Sequence, residues 1–231
     1  MKRPLVLVGG YLSQPADFTS LVAALEQPPY NFAVFVTPIG RLQWALTRDW
    51  DMRKVINSVG ATVERARAES GAATVSMLAY SVGGTIARIY LGDEPYRGTI
   101  YGGRRYVDRL ITLGTPHHSL ERWTRETVGF SNRTYPGAYY AEVRYTSVVG
   151  LALQGKAKGT WAERMARSSY ALVSGSAYAE AWGDGVTTLE CAALGGAEYL
   201  VVPDLYHSTF HGRPWYGDAE ALPLWGRILN R

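Results

Sequence analysis

The chain has a single cysteine, Cys191, which excludes an intrachain disulfide and any metal site built on cysteine pairs. Only four histidines occur, His117, His118, His207 and His211, and they lack the paired spacing of a ligand set, so no metal and no other cofactor is expected. Runs of like charge are missing as well. The net charge of +4 arises from scattered Lys and Arg set against Asp and Glu, without the clustered stripe that a nucleic-acid reader carries. No nucleic-acid partner is expected, whereas a transient contact with an anionic membrane surface is compatible with the basic balance. Long apolar runs are equally scarce. The opening "MKRPLVLVGGYL" joins a basic pair to an apolar run, but Gly9 and Gly10 cut that run far short of a signal-peptide core or a membrane span. It reads as a first core strand. The glycine loop that cradles nucleotide phosphates is absent too, since "YGGRRY" at 101–106 has glycines without the required lysine. With no repeat, low-complexity tract or linker, 231 residues at 47% hydrophobic content suit one buried core and a single domain over 1–231. A reducing, cytoplasmic location is the expectation, and the number of subunits is left open.

What is present is an alternation of short apolar runs with longer helical patterns. Strands are predicted at Leu5–Val8, Phe32–Val36, Thr74–Leu78, Val107–Leu113, Arg144–Val149 and Glu198–Val202. Several are continuous apolar runs, as strands buried on both faces should be. Helices are predicted at Asp17–Leu25, Trp50–Glu69, Gly83–Leu91, Thr160–Leu172 and Ala219–Leu229. Strands alternating with helices imply a doubly wound α/β fold, a mainly parallel six-stranded sheet with helices on both faces.

In such a sheet the loops at the carboxyl ends of the strands form the functional crevice. Ser81 stands in "AYSVGG", directly after the strand Thr74–Leu78 and its two following residues, and directly before the helix pattern from Gly83. A strand, a tight turn and a helix push the apex residue above the sheet, with the positive helix end behind it. Small neighbours must let the backbones pass, which Ala79 and Gly83 supply. This is the spacing of the Gly-x-Ser-x-Gly nucleophile elbow, with Ala79 in place of the first glycine.

Four landmarks together resemble the α/β-hydrolases of the lipase and esterase type: "LVLVGGYL", "AYSVGG", "RLITLGTPHH", and "WGDGVTTLECA" with "LYHS". They stand for the oxyanion strand and loop, the elbow, the next strand with its Thr-Pro-His loop, and the acid and histidine loops. The resemblance spans nearly the whole chain, with one departure: Gly9 stands where many lipases have His. It implies a serine hydrolase that cleaves carboxylic esters, lipid-like or otherwise apolar, through an acyl-enzyme. Acyl transfer to another acceptor, thioester or amide cleavage, and a catalytically silent ligand-binding module are the alternatives. It also implies a compact sheet lacking the amino-terminal antiparallel strands of larger members.

Within that frame a general base belongs on the loop after the last strand, which favours His207 in "PDLYHSTF" and keeps His211 in reserve. The acid that orients it should fall between Ser81 and the histidine. Asp184, between two glycines in "WGDGV", fits best, with Glu180 in reserve; the helix pattern inserted after Val149 is the weak point of that assignment. Oxyanion donors are expected from the backbone amides of Tyr11 and Val82. Gly10, Tyr80, His117 and His118 are expected to line the pocket. The excursion 119–145 carries Trp123, Tyr139 and Tyr140 among several arginines. It is read either as an aromatic lid over the site or as a loop packed on the core.

Overall fold

A computed structural model describes residues 2–48, 51–122 and 124–230. In chain order, β1 (Arg3–Val8) leads through a 3₁₀ turn at Pro15–Phe18 into α1 (Thr19–Leu25), followed by β2 (Phe32–Val36). Next come α2 (Arg41–Leu46), α3 (Arg53–Ser70), β3 (Val75–Tyr80), α4 (Gly83–Leu91) and β4 (Val107–Leu113). Helix α5 (Arg125–Thr134) and strand β5 (Arg144–Leu151) follow, then a two-residue strand β6 (Leu153–Gln154) and α6 (Trp161–Val173). The chain closes with β7 (Trp182–Gly183), α7 (Leu189–Ala192), β8 (Glu198–Pro203) and α8 (Leu222–Trp225).

All six predicted strands are found and form one sheet in the order β2-β1-β3-β4-β5-β8, every neighbouring pair parallel. The strand order reverses between β1 and β3. At that switch point the loops leaving the two strands stand side by side, so the crevice lies there. The side-chain period of two sorts β1 cleanly. Leu5 and Leu7 enter the core shared with Phe18, Leu21 and Trp225, while Val6 and Val8 enter the core shared with Val55, Val59 and Ile86. Helix α4 is buried along its whole length, which fixes its amino terminus rigidly beneath the crevice.

The predicted helix 17–25 begins as a 3₁₀ turn because Pro15 and the loop before it set the entry. The predicted 219–229 helix is broken into a turn, α8 and a second turn around Pro223 and Gly226, since proline removes an intrahelical donor. Trp50, the predicted start of the helix found as α3, lies outside the described residues. Among the described residues no helix is long and apolar enough to cross a membrane.

Candidate active site

Strand β3 ends at Tyr80 and α4 starts at Gly83, so Ser81 occupies the apex of the turn, with φ of +54°. A non-glycine residue held there stores on the order of 1–3 kcal/mol, which the surroundings must enforce. They do so with three bonds: Ser81 N–H donates to Leu113 O at 2.9 Å, and Ser81 O accepts from Gly84 N–H at 3.0 Å and from Thr115 Oγ1 at 2.7 Å. The turn fits only because residue 83 is glycine. A Cβ there would lie 2.6 Å from Gly9 O and 2.8 Å from Val8 O.

The hydroxyl of Ser81 meets His207 Nε2 at 3.1 Å, and His207 Nδ1 meets Asp184 Oδ2 at 2.8 Å. Asp184 is wholly buried and His207 nearly so. The carboxylate accepts four hydrogen bonds. Val186 N–H and Thr187 N–H donate to Oδ1 at 2.9 and 2.8 Å, and the Tyr216 hydroxyl donates to Oδ2 at 3.1 Å beside the imidazole. This saturated carboxylate binds the Nδ1–H tautomer of His207 and leaves Nε2 free to accept the serine proton. Further bonds fix the imidazole: His207 N–H donates to Asp184 O at 2.8 Å, and Tyr80 donates its hydroxyl to His207 O at 2.8 Å. Burial raises the phenols of Tyr80 and Tyr216 well above their ordinary range, and the Asp184 charge adds to it. Both therefore stay neutral donors.

The sequence separation between Val149 and Asp184 does not survive in space. Strand β6 continues from β5 almost without interruption and pairs antiparallel with β7, and Ala152 N–H donates to Gly183 O at 2.9 Å. The excursion between them leaves and returns at one place, setting Asp184 at the carboxyl end of β5. Glu180, the reserve acid, sits outside, 3.6 Å from Arg167. His211, the reserve base, bonds Ser208 Oγ through Nδ1 at 2.9 Å, and its ring lies 6.5 Å from that of His207. Burial, with His207 second, holds it down to about 4.

Gly10 abuts the elbow: a Cβ on it would lie 2.6 Å from Ser81 Cβ. The loop is pinned by Ser13, whose N–H and hydroxyl both reach Gly10 O, at 3.1 and 2.7 Å. Among the described residues, the N–H groups of Tyr11 and Val82 donate no hydrogen bond within the protein. Ser81, Val82 and Tyr11 open onto a cavity of about 700 Å³ that also includes Met52, Pro116, Val173 and Val186. A groove of similar size at the opposite end of the sheet, lined by Arg3, Asp108 and Arg144, adjoins the amino ends of the strands and is remote from this chemistry.

Several expected pocket residues lie elsewhere. Tyr80 packs against the His207 ring, centroids 5.2 Å apart, and faces a second groove beyond Tyr11. His117 is fully buried, its Nε2 3.2 Å from Thr112 Oγ1, and burial followed by the nearby Arg88 lowers its pKa well below the usual range. His118 reaches Ala193 O at 3.0 Å on the surface. Neither histidine lines the cavity. Tyr139 and Tyr140 do not cover it either. Tyr140 is buried and accepts Asp93 N–H at 3.0 Å, while Tyr135 accepts Glu94 N–H at 2.8 Å, so these phenols satisfy the backbone past the carboxyl end of α4. Tyr139 packs on both rings at 5.5 and 5.0 Å. The packed-loop reading accounts for them. Trp123 lies outside the described residues. Among the described residues of the excursion, Glu121, Arg122, Thr124, Arg125 and Glu126 border the cavity.

Tyr216 escaped the sequence reading. It stands in "GRPWYGD" beyond the histidine, and nothing in its spacing ties it to Asp184. Among the described residues no group of three His, Cys, Asp or Glu could hold a metal ion.

No protein-family model matches the chain, and no curated protein matches it. Solved structures do. MGS-MChE2, an alpha/beta hydrolase enzyme from the metagenome of sediments of the lagoon of Mar Chica, Morocco, is 14% identical with a TM-score of 0.52, covering 100% of this chain and 91% of that one. Lipase B of Aspergillus fumigatus is 17% identical with a TM-score of 0.49, covering 64% of this chain and 37% of that one. A predicted CIB-like hydrolase from Thermoplasma acidophilum is 11% identical with a TM-score of 0.49, covering 99% and 87%. The match thus takes in well under half of the length of lipase B. The likeness to the first of these fixes the architecture: the chain has the α/β-hydrolase fold.

Proposed function

We propose that the chain is a serine hydrolase that cleaves carboxylic esters with an apolar acyl group. The observation that carries this is the continuous line of hydrogen bonds from Ser81 Oγ through His207 to Asp184, at 3.1 and 2.8 Å, on a turn whose backbone is held at positive φ. The Ser81 oxygen attacks the ester carbonyl carbon while His207 Nε2 takes the hydroxyl proton. The carbonyl electron pair moves to oxygen, where the amides of Tyr11 and Val82 and the positive end of α4 face the new charge. Collapse expels the alkoxide, which leaves with the proton returned by His207. Water then repeats the sequence on the acyl-enzyme, releasing the acid and restoring Ser81.

Asp184 keeps His207 in the required tautomer and faces the imidazolium when it forms. Its four donors satisfy both carboxylate oxygens in the interior. The cavity at Ser81 supports an apolar acyl group, because Met52, Pro116 and Val173 are buried residues that form part of its wall. That MGS-MChE2 is named an alpha/beta hydrolase enzyme agrees with the reading. The test is twofold. A fluorophosphonate probe should label Ser81, located by peptide mass spectrometry, and Ser81→Ala should abolish turnover of p-nitrophenyl butyrate in a protein with an unchanged circular dichroism spectrum. Undiminished turnover in the folded variant would sink the mechanism.

A further inference from the structure

Resting on the hydrolase reading, we infer that the preferred ester carries an anionic, phosphate-type head group, held by Arg48, Arg122 and Arg125 at the mouth of the Ser81 cavity. These three side chains line the same space as Ser81 and Val82. All three residues are exposed, whereas Met52, Pro116 and Val173 of the same lining are buried. The space therefore has an apolar interior and a cationic rim. A molecule complementary to both has a hydrocarbon portion inside, its ester carbonyl at Ser81 and a negative charge at the opening.

The state of the arginines separates this rim from ordinary surface charge. Among the described residues none of the three forms an ion pair. On the other side of Tyr11, in the second groove, the arginines are neutralised within the protein: Arg41 meets Asp17 at 3.0 Å and Arg213 meets Asp218 at 2.8 Å. Glu121 and Glu126 also border the Ser81 cavity, and Glu126 faces Arg97 at 3.9 Å. The lining keeps three guanidiniums against two carboxylates. Guanidinium offers planar paired donors that match a phosphate, and a cationic mouth over low-dielectric walls attracts an anionic substrate before it binds. The bond cleaved remains the carboxylic ester; water supplies the hydroxyl of the acid and the proton of the alcohol, and the phosphate passes through unchanged.

The experiment compares 1-octanoylglycerol 3-phosphate with 1-octanoylglycerol, both kept below micelle formation. An exposed charge pair contributes about a factor of two to five, so three arginines should raise kcat/KM for the phosphate about tenfold over the neutral ester. The ratio should fall toward unity in Arg48→Gln and in the double variant Arg122→Gln/Arg125→Gln, and narrow as salt is added. Arg41→Gln removes the same charge from the other groove and should keep the ratio. A wild-type ratio of one or below, or an equal fall in Arg41→Gln, overturns the head-group site while the cleaved neutral ester leaves the hydrolase reading standing. If neither ester is cleaved, the hydrolase reading fails, and calorimetry on Ser81→Ala decides the site alone. Tighter binding of the phosphate than of the neutral ester supports it, and equal or weaker binding overturns it.

Discussion

Gly10→Ala adds one methyl group to the loop beside Ser81 and tests whether that loop holds an oxyanion donor. The new Cβ would stand 2.6 Å from Ser81 Cβ, 3.1 Å from Tyr80 Cδ1 and 3.1 Å from Tyr80 O. Non-bonded carbons settle at about 3.5–4.0 Å, so loop and elbow must part by about 1 Å. The elbow side is the stiffer. Tyr80 is wedged among Phe18, Trp215 and His207 with centroids 5.7, 5.6 and 5.2 Å away, and Ser81 is tied on both its N–H and its carbonyl. The loop from Gly9 to Ser13 yields instead, carrying the Tyr11 amide off its target. Misplacing a catalytic group by about 1 Å costs about 10²-fold in rate, or about 2.7 kcal/mol of barrier, and overpacking removes about 1–3 kcal/mol of stability. The assay is kcat and KM on p-nitrophenyl butyrate at 25 °C, with near-ultraviolet circular dichroism and a thermal melt confirming that the variant is folded. Gly195→Ala, whose Cβ would meet nothing within 4 Å, is the control and should behave as wild type. A folded Gly10→Ala protein with kcat within about twofold of wild type would refute the placement of the donor.

Three further outcomes are expected. His207→Ala should lower kcat by several orders of magnitude and His211→Ala by about tenfold or less, measured on one soluble ester; the reverse ranking would make His211 the base. Stability should be full above pH about 6.5 and fall as pH drops toward about 4, because His211 is held down to about 4 and His117 is lowered as well, while the unfolded chain binds those protons near the ordinary value of about 6.5. Urea midpoints at pH 7 and pH 4.5 would show this, and His211→Asn should lose less between the two than wild type; an equal loss would contradict the assignment. Tyr140→Ser should lower the melting temperature, since it opens a cavity and frees the Asp93 amide, without changing the preference for long over short acyl chains. A selective loss on long chains would restore the lid.

The strands were legible because parallel strands buried on both faces must be nearly continuous apolar runs, as in "PLVLV" and "RLITL". Ser81 was legible because a strand and a helix joined by two residues leave few conformations, and small residues have to stand around the apex. Asp184 was harder, since what brings it home is a pairing of two residues with two, Leu153–Gln154 with Trp182–Gly183, far below the length at which alternation can be read. Tyr216 and the phenols at 135 and 140 act through one hydroxyl each, and an aromatic residue in sequence does not reveal what its oxygen reaches. Helix α2 and helix α5 were missed for lack of a strong apolar stripe: α5 buries only Thr127, Val128 and Ser131, two of them polar.

The short β6–β7 ladder gives the chain a modular joint. Everything from Gly155 to Ala181 hangs from it, so the length of that segment can change without moving the acid, just as a longer cord tied at the same knot leaves the knot in place. Loop closure weakens only slowly as such a segment grows. Among the hydrogen bonds that tie this segment back to the rest of the chain are Leu120 N–H to Val173 O at 2.8 Å and Thr188 Oγ1 to Ser174 Oγ at 3.1 Å. Another bears on the acid loop: Tyr170 of α6 donates its hydroxyl to Leu153 O at 2.9 Å and accepts Gly185 N–H at 3.0 Å. A chimaera that exchanges the segment for one of another length or sequence should therefore retain its acid geometry so long as the graft presents a hydroxyl where Tyr170 stands, which makes this stretch the natural place to graft new recognition onto the scaffold.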